Sequence, residues 1–147
     1  MDAILVLTAL VAACTLGGGL YEFIVVDAVW PDRPDIVSPR HGGLSRKRFW
    51  IVIHVAFELL LVASLVTAWS TPEVRNPLLI ALASHGAMRI WSALDFIPKA
   101  LAFERMEPQE IPREAARRWV SRSKLRFPLD LITMAAVAAA LAAALAR

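Results

Sequence analysis

Cysteine is almost missing from this chain: Cys14 is the single one. One thiol excludes an intrachain disulfide and a thiolate metal cluster. Charge is sparse, at 20% of residues, and the formal net charge is +3. The basic residues crowd into two interhelical segments, which suits anionic lipid headgroups and not nucleic acid. Internal repeats, a His-rich metal motif and a separate soluble domain are also lacking, and the one biased tract is the alanine-rich stretch beyond Met134.

What fills the chain instead is apolar. Hydrophobic residues make up 58% of its 147 positions, and the mean hydropathy is +0.56. That is too apolar for an ordinary soluble domain and too short for two. Four stretches, 3–28, 49–69, 77–103 and 128–146, each reach the ~20 residues that cross a ~30 Å hydrocarbon core. Pro- and charge-rich segments at 31–48, 70–76 and 104–127 separate them. The expectation is one all-α domain over 1–147, an integral membrane four-helix bundle. "LVAAC", ending at Cys14, loosely resembles a lipoprotein cleavage site. A retained first helix is expected nonetheless, because Met1-Asp2 supplies no positive n-region and apolar sequence continues well past Cys14.

Lys and Arg set the orientation. The 31–48 loop carries Arg33, Arg40, Arg46, Lys47 and Arg48, and the 99–127 segment carries eight more, whereas the opposite face has only Arg75 and Arg147. The positive excess predicts both long loops in the cytoplasm and both termini on the non-cytoplasmic side. Trp30, Trp50 and Trp69 fall at predicted interfaces. The basic amphipathic segment "PREAARRWVSRSKLR" (112–126), between helices 3 and 4, is expected along the inner headgroups.

Against this greasy background the polar residues of "IALASHGAMRIWSALDFIP" (80–98) stand out. Arg89 in hydrocarbon costs ~2.5–3.5 kcal/mol on insertion scales, so it needs a partner. With Trp69 and Pro77 as flanks of the outer loop, depth alignment at ~1.5 Å per residue sets Glu58 level with Arg89. It sets His54 level with Glu22 and within a turn of Asp95, and His85 about two turns from His54. His54 and Glu58 share one face of helix 2, and His85 and Arg89 one face of helix 3. Pro98 is expected to end or kink helix 3, and Asp130 to satisfy first-turn amides of helix 4. Gly17-Gly18-Gly19 is expected to allow close helix packing.

These placements nominate a site. His54 is the candidate base, with Glu22 or Asp95 as its orienting partner. Arg89, Glu58, Tyr21 and Trp91 form the candidate substrate-binding set. If a metal binds, His54, Glu58, Glu22 and His85 are its candidate N/O ligands, although no metal or other cofactor is expected. A site in lipid suits a quinone-, polyphenol- or terpenoid-like molecule entering sideways. The rival expectation is non-catalytic: an accessory subunit of a larger membrane complex, or a homo-oligomer. The strings "GGGLYE", "RKRFWIVIH" and "MRIWSALDFIPKALAFE" resemble small bacterial four-helix membrane proteins and, more loosely, the anthrone-oxygenase-like membrane family. That resemblance implies a bacterial inner-membrane location and cofactor-free oxidation of polycyclic phenolic substrates. It assigns no catalytic residue.

Overall fold

The computed structural model describes residues 2–147, which are helical and contain no strand. Helix α1 (Asp2–Tyr21) continues into a π-helical turn, Glu22–Val26. Helix α2 spans Arg46–Thr67 and α3 spans Pro72–Trp91. A second π-helical turn, Ser92–Phe96, joins α3 to α4 (Ile97–Arg105). Helix α5 (Arg113–Ser123) passes through a tight turn into α6 (Phe127–Leu145). Pro72, at the start of α3, sits where the missing N–H has no intrahelical partner to lose.

Among the described residues three helices are long and apolar enough to cross a membrane: Ala3–Val26, Arg46–Thr67 and Arg113–Leu145. The stretch α3–α4, expected as the third span, falls outside that class. Its charges, Glu73, Arg75, Arg89, Asp95 and Lys99, interrupt the apolar sequence. The surface of the bundle is nevertheless aliphatic, with Val52, Leu59 and Val66 each 68% exposed and Leu94 78% exposed.

Helix α6 is the hub, packing against both α3 and α1, while α2 leans on α1. The buried residues of α6 (Thr133, Ala136, Val137, Ala140 and Ala144) trace one helical stripe. Their small side chains let three helices approach closely. Hydroxyls tie the helices: Thr8 Oγ1 lies 2.8 Å from Ser64 Oγ, and Ser84 Oγ donates to the Leu129 carbonyl at 2.8 Å.

A second, smaller core caps one end. Val26, Trp30, Val37, Ile111, Ala116 and Val120 bury one another, with Trp119 and Phe103 packed alongside. Trp30 is fully buried there. The cap folds tightly enough to require glycine: Gly42 has φ +82°, and a Cβ on Gly43 would lie 2.2 Å from the Asp35 carbonyl oxygen. Asp32 fastens the loop to α5 through Arg113 and Arg117. The Arg113 hydrogen bond holds its carboxyl below the ordinary 3.8. The amphipathic segment thus contributes α5 to the cap by burying Ala116 and Val120, and it runs on into α6.

The turn between α2 and α3 is shorter than the alignment assumed. Helix α3 begins at Pro72, five residues before Pro77, which lies inside it. That shift brings His85 level with His54: the rings are 5.5 Å apart, not two turns.

Candidate functional site

Next to the cap the helices enclose a partly open cavity of about 430 Å³. Its walls come from the first π turn, α2, the second π turn with α4, and the α5–α6 junction. Both π turns border it. In the second, Pro98 cannot donate to the carbonyl four residues back, and the chain widens just before it. Much of the wall is apolar, including Phe23, Ile51, Met88, Phe96 and Leu101.

Polar groups converge on one side. Glu22 Oε1 accepts from Arg46 at 3.1 Å and its Oε2 accepts from Trp50 Nε1 at 2.9 Å. The Arg46 guanidinium lies 5.2 Å from the ring centres of both Trp30 and Trp119, closing the cavity against the cap. Asp27 is buried beside it, accepting from Trp30 Nε1 at 3.0 Å. Trp50 then stacks on His54 at 5.3 Å and 24°. His54 is 7% exposed, and its Nδ1 is buried without a hydrogen-bond partner. His54 lines the cavity as a residue, and its unbonded Nδ1 is a buried polar atom without the partner that such atoms usually have.

Arg89 also lines the cavity and donates from Nε to Glu58 Oε1 at 2.9 Å; the expected pair forms although the shorter turn no longer sets the two at one level. Long helical side chains lean toward their own N-termini, so on antiparallel helices these two reach toward each other. His85 Nε2 lies 3.4 Å from the same carboxylate oxygen, a single interhelical contact.

The structure therefore brings Glu22, His54 and Arg89 to one cavity, with Glu58 behind Arg89. It does not bring Asp95, which is held by Lys99 and by Arg122 at 2.6 Å. Tyr21 is 60% exposed, and Trp91 packs on Phe96 at 5.7 Å; neither borders the cavity. The alternative metal set is not gathered, because Glu22 serves Arg46 and Trp50 while Glu58 serves Arg89. Among the described residues no three of His, Cys, Asp and Glu form a metal-holding group. Asp130 makes no cap bond at the start of α6; it faces the cavity instead. Gly18 serves packing as expected, since a Cβ there would meet the Phe49 ring at 2.5 Å.

Sequence reasoning missed Arg46, Asp27, Trp50 and Arg126 as site residues. The two arginines were counted as loop charge. The available signal was their position at the first residue of an apolar helix and just before one. Arg126 donates from Nη1 to Ser92 Oγ at 2.6 Å and lies 4.1 Å from the Phe96 ring centre.

The cavity is partly open, and Ile51 of α2 and Ile97 and Leu101 of α4, all exposed, are among the residues that line it. Near the cap α2 and α4 are bridged by Lys47 to Glu104 at 2.8 Å, and Arg89–Glu58 also links α2 to the α3–α4 side. Comparison with known protein families, curated proteins and solved structures gives no match for this chain.

Proposed function

We propose that the protein is a multi-pass bacterial inner-membrane protein whose cavity takes a lipophilic, quinone-, polyphenol- or terpenoid-like molecule, with His54 as the general base. The observation that carries this reading is His54 in the lining of a 430 Å³ cavity, its ring stacked on Trp50 and its Nδ1 without a hydrogen-bond partner. Neighbouring polar groups are already occupied: Glu22 by Arg46 and Trp50, and Arg89 by Glu58. The Trp30–Arg46–Trp119 stack blocks approach from the cap, and the aliphatic slot between α2 and α4 favours entry from lipid. The Lys and Arg excess supports a cytoplasmic cap and both termini on the other side.

For a polycyclic phenolic carbon acid such as an anthrone, the chemistry balances without a cofactor. His54 takes a proton from the ring CH₂, and the carbanion adds O₂ to give a hydroperoxide. Loss of water then leaves the ketone, so anthrone and O₂ yield anthraquinone and water. Arg89, fixed by Glu58, offers charge to the substrate oxygen as it becomes an enolate. The test is anthraquinone formation by protein in nanodiscs under air. His54→Ala is expected to retain its fold and lose roughly a hundredfold or more in rate, the usual contribution of a positioned base. Equal rates for variant and parent would refute the assignment.

A second reading, an accessory subunit or homo-oligomer, is favoured by one observation. The Glu58 and Arg89 side chains are 42% and 35% exposed on the outer surface, where hydrocarbon would solvate them poorly. A partner helix would cover them.

A further inference from the structure

We infer that the molecule this cavity selects is an acidic amphiphile, its carboxylate or phosphate held by Arg126 and its apolar body lying toward the slot between α2 and α4. The inference rests on the cavity being a lipophile site, as proposed above, and deepens it to a ligand class.

The argument is one of charge pairing around the wall. Five cationic side chains line the cavity: Arg46, Lys47, Arg89, Lys124 and Arg126. Three already have carboxylates within ion-pair distance: Arg46 on Glu22 and Asp27, Lys47 on Glu104, and Arg89 on Glu58. Arg126 and Lys124 have none within 4.0 Å among the described residues. Arg126 is instead positioned by neutral groups. Its Nη1 donates to Ser92 Oγ, its Nε donates to the Ser123 carbonyl at 3.4 Å, and its plane rests on Phe96. Neutral contacts orient a guanidinium without discharging it, which leaves its remaining donors for an anion with fork geometry. Lys124 adds a second positive charge from the same junction, its Nζ 4.4 Å from the Phe23 ring centre.

The acids in the wall do not reverse this. Glu22 and Glu104 are paired, and Asp27 accepts from Trp30 and from Ser123 Oγ at 3.5 Å. Asp130 faces the cavity without a hydrogen bond, one turn beyond Arg126, and is the group an amine would seek. The wall's cations and carboxylates balance in number, because Asp27 shares Arg46 with Glu22. The preference for an anion is local to the α5–α6 junction, where neither Arg126 nor Lys124 has a carboxylate within 4.0 Å among the described residues.

Three fluorescent probes with one ring system decide it: anthracene-9-carboxylate, 9-anthracenemethanol and 9-anthracenemethylamine. Each is titrated into protein in phosphatidylcholine nanodiscs, with empty nanodiscs as baseline. The wild type is expected to bind the acid roughly tenfold more tightly than the alcohol, and the amine weakest, as a charge-assisted hydrogen bond implies. Arg126→Gln should bring acid and alcohol to parity, Arg126→Lys should keep the preference, and Asp130→Asn should not weaken the acid. Phosphatidylglycerol in the disc would displace the acid from wild type but not from Arg126→Gln if the natural anion is a lipid headgroup; without displacement, a free acid is the natural guest. Equal binding of all three probes, or tightest binding of the amine with loss in Asp130→Asn, overturns the inference but leaves the cavity a lipophile site. Failure of all three to bind above baseline overturns both.

Discussion

His54 and Glu58 lie one turn apart on α2 yet play different parts. Glu58 is committed to Arg89 and His85, whereas the His54 ring packs against those of Trp50 and His85 and its Nδ1 has no hydrogen-bond partner. The Glu58–Arg89 pair was legible in the sequence because i, i+4 spacing put a polar face on each of two antiparallel helices. Asp95 was not, because its nearest partners come from Lys99, one turn on, and from Arg122 on α5, whose folding back onto the bundle no periodicity announces. Asp27 and Glu22 are brought to one wall by a π turn, and its five-residue hydrogen bond leaves no pattern in residue spacing. At this scale the ion pair makes a prediction. Arg89→Gln alone should lower stability by about 1–3 kcal/mol, the cost of leaving a polar group without its partner. Adding Glu58→Gln should recover most of it. Thermal melts in detergent check this; a double variant less stable than Arg89→Gln would show that the pair is not the unit.

The helical elements were readable almost to their ends, since apolar runs of span length leave few alternatives. The errors came where polar chemistry sits inside a helix. Pro77 looked like a loop flank but lies within α3, because Thr71 and Pro72 already supply the helix start. The place of Trp30 in the cap was not legible, since the small core formed with α5 is built from residues distant in sequence. The alanine-rich stretch beyond Met134 is what α1 and α3 pack against. Ala140, 0% exposed, is the tightest test of that arrangement. Ala140→Leu should overpack the three-helix contact and cost about 1–3 kcal/mol. Ala139→Leu, on an exposed position of the same helix, should change little. Urea or thermal unfolding of the two variants checks this, and equal effects would contradict the hub role of α6.

As a whole, the molecule is a helical bundle with an apolar exterior, a cap closing one end, and a side opening into a cavity where a histidine waits among satisfied ion pairs. Composition and helix length foretold the bundle; the cavity depends on how the two π turns and the α5–α6 junction fit together, which only coordinates reveal. The central claim is that a lipophile reaches His54 through the slot between α2 and α4. Native mass spectrometry of the protein released from nanodiscs measures this directly, using wild type and Ala100→Trp, which places an indole in the cavity wall beside that slot. The account predicts one lipophilic molecule retained per wild-type chain and none on the variant, both remaining folded. Wild type released empty, or equal retention by both, would contradict it.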